Sequence, residues 1–339
     1  MKNRRWITRI HGCALAAALA ITMAGCTSDA GSQGTPGPIE PIPTIVGLTF
    51  IPNIQFAPFY IADKNGFYSD DIKVTLRHHG SDEGLFTALA AGDENFVVAG
   101  GDEILQARSQ GIEIVAVASY YVRYPARVIV PKDSSISSVK DLRGQRVGLP
   151  GRFGENWFAL LIALKQAGLT EKDVTIVEIG YTQLAALSTD KVDAVIGFAN
   201  SDVINFATAG FDIKVIDPEV PLVSICLATT SFYAQSHPYL ISTLIDAMRQ
   251  GMESALKDPD NALAVAADYI PSFRGEILDS AKAVLPATSA LFTDSAGTVS
   301  PPLDPDQWKK MAEAMISVDL IPEGTDPAKA FTNEYRTAG

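Results

Sequence analysis

Three consecutive segments decide the fold: Phe96-Val97-Val98-Ala99, then Glu103-Ile104-Leu105-Gln106-Ala107-Arg108-Ser109-Gln110, then Ile114-Val115-Ala116-Val117-Ala118. A run of apolar residues precedes a helical period, Gly111 stops the helix, and a second apolar run follows. Neither run alternates with polar residues, so each strand is covered on both faces, as in a parallel sheet lined by helices. The same grammar continues outward. Upstream it predicts strands at 45–50 and 72–76 and helices at 57–66 and 83–91. Downstream a second round predicts strands at 127–130, 146–149, 174–177, 192–196 and 213–216, with helices at 156–168 and 183–188. Beyond Ser236 only helices are expected, at 238–256, 259–269, 276–285 and 304–318. Strands separated by helices mean βαβ units. The expectation is an α/β protein of two lobes, each a mostly parallel sheet flanked by helices, with a cleft between them.

The chain has 339 residues, 47% apolar and 19% charged, enough for two full cores and too apolar for disorder. With 27 basic against 39 acidic side chains the net charge is −12, which argues against a nucleic-acid partner. Three cysteines and four histidines offer neither a disulfide framework nor a metal-ligand spacing. His78-His79 reads as a surface strand end, and no metal or cofactor is expected.

The amino terminus reads as an address. Lys2, Arg4, Arg5 and Arg9 precede a short apolar run at 13–23, too short to span a membrane. Met23-Ala24-Gly25-Cys26 then looks like a bacterial lipobox, with cleavage before a lipidated Cys26. Removing residues 1–25 takes away four basic and no acidic side chains, leaving 23 against 39, a charge of −16. Residues 26–44 are rich in Gly, Pro, Ser and Thr and read as a flexible tether. The expected product is exported and held at the outer face of the cell membrane, or in the periplasm, by its lipid.

The body carries a resemblance. Phe50-Ile51-Pro52-Asn53, Phe59-Tyr60-Ile61-Ala62 and Gly66-Phe67-Tyr68 resemble the start of type II periplasmic substrate-binding proteins. They are similar to the group serving ABC importers of sulfonates, nitrate, thiamine pyrimidine precursors and riboflavin. Asp141-Leu142-Arg143-Gly144-Gln145-Arg146-Val147-Gly148 and Val192-Asp193-Ala194 look like two further elements of that family, in the same order. The resemblance implies a Venus-flytrap protein with crossovers at 119–125 and 221–230. Its first lobe would comprise 45–124 plus 221–339 and its second 125–220. It implies a monomer with a small-molecule ligand, partnered by a permease and an ATPase.

Pro52-Asn53-Ile54-Gln55-Phe56 resembles the branch that binds thiamine pyrimidines and riboflavin. A flat heteroaromatic ring needs aromatic faces and polar edge partners. Phe50, Phe56, Tyr120, Tyr121, Phe153, Trp157, Tyr181 and Phe198 stand near strand ends as candidate faces, although any of them could equally fill a core. Tyr120 and Tyr121 are neighbours on a predicted strand end, so at most one would face the cleft. Asn53, Gln55, Asp82, Asp102, Glu155 and Asn200 are candidate edge partners, with Asn53 and Asp82 equally readable as helix caps. Arg152 would serve an anion. A sulfonate or nitrate ligand, and a sensor role without import, remain alternatives. The fold also hosts a thiamine pyrimidine synthase, in which a histidine of the first strand–helix loop is consumed and a cysteine cluster binds iron. Here the matching loop, Ile54-Gln55-Phe56-Ala57, has no histidine, and the matching segment at 223–230 has only Cys226. The expectation is therefore a binding protein and not an enzyme.

Overall fold

The computed structural model describes residues 40–80 and 83–337. The expected signal peptide, the expected lipidation at Cys26 and the candidate Asp82 lie outside the described residues. Ten strands follow one another: β1 (Ile42–Leu48), β2 (Ile72–His78), β3 (Phe96–Gly100), β4 (Ile114–Ser119), β5 (Ala126–Pro131), β6 (Arg146–Leu149), β7 (Thr175–Glu178), β8 (Ala194–Phe198), β9 (Ile213–Ile216) and β10 (Ile225–Thr230). They form two five-stranded sheets, ordered β2-β1-β3-β10-β4 and β7-β6-β8-β5-β9. In each, one strand runs against the rest: β10 in the first sheet and β5 in the second. Each of these is the strand that receives the chain as it crosses from one sheet to the other. The result is a two-lobe α/β fold with mixed, mostly parallel sheets.

The helices are α1 (Ala57–Lys64), α2 (Thr87–Ala91), α3 (Gly101–Ser109), α4 (Gly154–Gln166), α5 (Gln183–Ser188), α6 (Asp202–Thr208), α7 (Ser231–Ser236), α8 (Pro238–Lys257), α9 (Pro259–Ala266), α10 (Glu276–Ser289) and α11 (Pro305–Ser317). No helix among the described residues is long and apolar enough to cross a membrane. α8 buries Leu240, Leu244, Ile245, Met248 and Met252 over α1 and the first sheet. α11 sends Trp308, Met311 and Met315 into the cluster that holds Trp157 and Phe158 of α4. The chain then returns to the first sheet, where Ala116 donates to the Ala330 carbonyl and Thr332 donates to that of Ala116.

Three expectations change. The segment 26–44 is not all tether, because β1 begins at Ile42. Pro43 is tolerated there because only β2 pairs with that end of β1; β3 joins from Val46. Residues 225–230 are not crossover but β10, whose small buried residues slip between β3 and β4. His79 is not at the surface. It is 4% exposed, and its Nε2 lies 2.8 Å from Glu94 Oε1, which also accepts from Arg77 Nη1 at 2.6 Å.

The Glu94 carboxyl presses on β1 at Gly47, where a Cβ would stand 2.6 Å from its Cδ. Burial pushes this carboxyl up, but His79 and Arg77 beside it hold it below the ordinary value. Only glycine leaves room for the pair. Gly47→Ala is expected to lower the unfolding free energy by about 1–3 kcal/mol, the usual range for overpacking, as read from denaturant melts.

Candidate ligand-binding cleft

The turns that follow β3 and β6, at the carboxyl ends of parallel strands, meet between the lobes, the place where open α/β sheets bind ligands. After β3 the chain turns directly into α3, so Asp102 and Glu103 stand in its first turn. After β6 it runs through Pro150–Phe153 into α4, whose first turn holds Glu155. The two helix starts touch across the lobes. A Cβ built on Gly100 would meet Asp102 Oδ1 and lie 3.0 Å from Glu103 Oε2 and 3.3 Å from Glu155 Cγ. Asp102 is fully buried, Glu155 is 8% exposed and Glu103 is half-buried.

Tyr124, on the crossover between β4 and β5, ties this group together. Its hydroxyl lies 2.6 Å from Asp102 Oδ2 and 2.9 Å from the Glu155 carbonyl oxygen. Glu103 Oε2 accepts from the Gly100 amide at 3.1 Å, and Asp102 Oδ1 accepts from the Glu103 amide at 2.8 Å. Glu155 Oε1 is buried with no partner. None of the ion pairs among the described residues includes these three carboxyls. Burial pushes Asp102 up to about 7, with its hydrogen bonds to the Tyr124 hydroxyl and to backbone amides opposing. Burial, then the neighbouring Asp102, pushes Glu103 up to about 8. Glu155 is raised by burial and by both neighbours.

The remaining candidates fall into distinct places. Tyr120 and Tyr121 are both buried, with rings stacked at 5.0 Å and 21°, contrary to the expected opposite orientation. β4 ends at Ser119, so strand alternation no longer governs them. Tyr120 donates to the Gln55 carbonyl at 2.6 Å, which fixes the loop after β1. Asn53 accepts from the Gln55 amide at 3.1 Å and caps the turn Ile54–Phe56. Phe56 is buried with its ring edge-on to His78, a histidine that β2 delivers beside this loop. Arg152 is committed to Glu171 at 2.6 Å and lies 5.0 Å over the Trp157 ring. Phe153 is 59% exposed. Asn200 is buried, donates to Thr288 of α10 at 3.1 Å, and keeps Oδ1 unpaired. Tyr181 is 66% exposed and meets Phe50 of the other lobe edge to face, centroids 6.3 Å apart.

The structure thus brings Asp102 and Glu155 together, and adds Glu103, Tyr124 and Thr288, which the sequence reading did not single out. Glu103 was visible as the acid following Gly100-Gly101-Asp102, but Thr288 had no local signal at all. Beside Asn53 lies an apolar cavity of about 570 Å³, lined by Ile51, Pro52, Ile54, Ile270, Phe273 and Ile277 among others. Among the described residues no group of three or more His, Cys, Asp or Glu side chains is arranged to hold a metal ion.

Two lobes meeting at strand ends over a buried polar group define the two-lobe fold of periplasmic binding proteins. Accordingly, the structure superposes on the periplasmic aliphatic sulphonate binding protein SsuA of Escherichia coli with a TM-score of 0.70 at 16% identity, over 88% of this chain and 95% of that one. The chain belongs to the NMT1/THI5 like family, whose model matches residues 53–262. It is 32% identical over 302 residues to the riboflavin-binding protein RibY of Chloroflexus aurantiacus, covering 87% of this chain and 86% of that protein. It is 24% identical over 295 residues to the 4-amino-5-hydroxymethyl-2-methylpyrimidine phosphate synthase of Legionella pneumophila, covering 85% and 90%.

Tyr124→Phe removes the hydroxyl shared by the two lobes and leaves acceptors buried without it. Its unfolding free energy is expected to fall by about 1–3 kcal/mol in chemical denaturation.

Proposed function

We propose that this protein is the substrate-binding lipoprotein of an ABC importer and captures a flat nitrogen heterocycle, riboflavin or a thiamine pyrimidine precursor, between its lobes. The observation that carries this reading is the interlobe group of buried Asp102 and Glu155 and half-buried Glu103, which has no basic partner among the described residues. Such a group offers no cation to a sulfonate or nitrate, while its oxygens can accept from N–H donors. Arg152, just before α4, is held by Glu171. Phe50 and Tyr181 offer ring faces at the cleft mouth. We assign ligand contact to Glu155, Asn200, Tyr181 and Phe50, with Tyr120, Tyr121 and Asn53 shaping the wall behind them. Similarity to a riboflavin-binding protein supports the same class. A binder is favoured over a synthase because Cys226 is the only cysteine in its segment; it is fully buried, and its thiol faces the Ser224 carbonyl. Delivery to a permease and anchoring through Cys26 complete the proposal.

Titration of the purified protein with riboflavin, an aminopyrimidine, an alkanesulfonate and nitrate tests the ligand class. Saturable binding of one of the first two is expected; a response to the sulfonate or nitrate alone would sink the reading. Tyr181→Ala should weaken capture about threefold to tenfold, the worth of one aromatic contact, while leaving thermal stability close to the parent. Separately, Cys26→Ala is expected to move the protein from the membrane fraction to the soluble fraction of cells, and its retention on membranes would refute the anchor.

A further inference from the structure

We propose that closing the two lobes takes up protons on Asp102, Glu103 and Glu155, so that ligand capture is coupled to pH. The proposal rests on the cleft being the ligand site, but not on which ligand occupies it. Geometry supplies its first support. The three acidic side chains come from both lobes, from the first turn of α3 and the first turn of α4, and meet beside Gly100. Glu103 Oε1 also reaches the second lobe, 3.1 Å from where a Cβ on Gly154 would stand. The contact therefore exists only while the lobes are together.

A second, independent observation is Glu155 Oε1, buried and without any partner. An ionised carboxylate in that position would lack both a counter-ion and a hydrogen bond, which is costly; a protonated one is merely a neutral polar group. The other titratable groups facing the trio are Tyr121 and Tyr124 from the crossover, Cys226 from β10, and Tyr181 from the second lobe. All four are raised, chiefly by burial, and are neutral near pH 7. None brings a positive charge. Opposing the effect are the amides of Gly100 and Glu103 and the Tyr124 hydroxyl, which favour the ionised forms. Burial alone outweighs them at Asp102, and burial together with the neighbouring Asp102 outweighs them at Glu103.

The sign follows directly. With the lobes apart these carboxyls are solvated and titrate near the ordinary value of about 4. With the lobes together Asp102 and Glu103 rise to about 7 and about 8. Closure binds protons, so its contribution is complete below about pH 4 and is lost as pH rises through the closed-state values.

Infrared difference spectroscopy of the full chain, riboflavin-bound minus free, tests the protonation itself. At about pH 6.5, well above the ordinary carboxylate range, carboxylic acid C=O absorption is expected to grow on binding, and to grow less in Glu103→Gln and Glu155→Gln. Complete ionisation of the bound parent at that pH overturns the proposal. With riboflavin as the probe, the dissociation constant should rise by about tenfold for each pH unit and proton coupled, between about pH 5 and pH 7. Calorimetry in two buffers of different ionisation enthalpy should then register proton uptake. Glu155→Gln should flatten the profile. A dissociation constant that does not change with pH, with no proton exchanged, refutes the coupling. If riboflavin fails to bind at any pH, that ligand assignment falls, and the same difference spectrum with whichever of the aminopyrimidine, alkanesulfonate or nitrate binds decides this proposal.

Discussion

Two helix starts pressed together would ordinarily be stabilised by acids, because exposed amides and the helix dipole attract negative charge. α3 and α4 each follow that rule, and then the fold places them face to face. What suits each lobe alone becomes a conflict when the lobes join. Tyr124 sits at the point of conflict with one hydroxyl serving a carboxylate of one lobe and a carbonyl of the other. Much of the surrounding architecture follows from this meeting point. The crossover must pass here, and the aromatic group of Tyr120, Tyr121, Phe59 and Phe292 stiffens it. Bulk is excluded at Gly100 and Gly154, where a side chain would strike the acids.

Much of the fold was legible because it is written in local pattern. β2, β3, β6, β9, α5 and α8 lie within a residue or two of where apolar periodicity and glycine stops put them. β10 escaped notice because nothing in Ile225-Cys226-Leu227-Ala228-Thr229-Thr230 reveals its partners. Its strand character comes from β3 and β4, which are remote in sequence and flank it in space. Pro43 misled in the opposite direction, as a proline suggesting tether where one unpaired strand edge made it harmless.

The candidate site was legible in part, and for the same reason. Strand ends rich in glycine and polar residues marked Asp102, Glu155 and Asn200, but sequence could not say which of them meet. The acids of α3 and α4 converge through a rigid-body arrangement of lobes, and Thr288 reaches Asn200 from a helix much later in the chain. Arg152 shows the converse. Its place beside two glycines looked like an anion cradle, whereas Glu171 and the Trp157 ring already occupy it. Similarly, His79 resembled a surface residue only because its partner Glu94 belongs to the turn before β3.

The position of β10 also sets an order of assembly. β3 and β4 leave the ribosome early, yet they cannot pair with each other, because the strand that lies between them is made only after all of the second sheet. The second lobe is one uninterrupted run of chain and has all its strands to hand when Ile216 emerges. The first stays an open seam until Thr230 arrives, and pairing across so long an interval is intrinsically slow. A nascent chain of this design is therefore half-built for most of its synthesis, and any product cut short before β10 carries two unpaired strand edges facing one another with nothing to fill the gap.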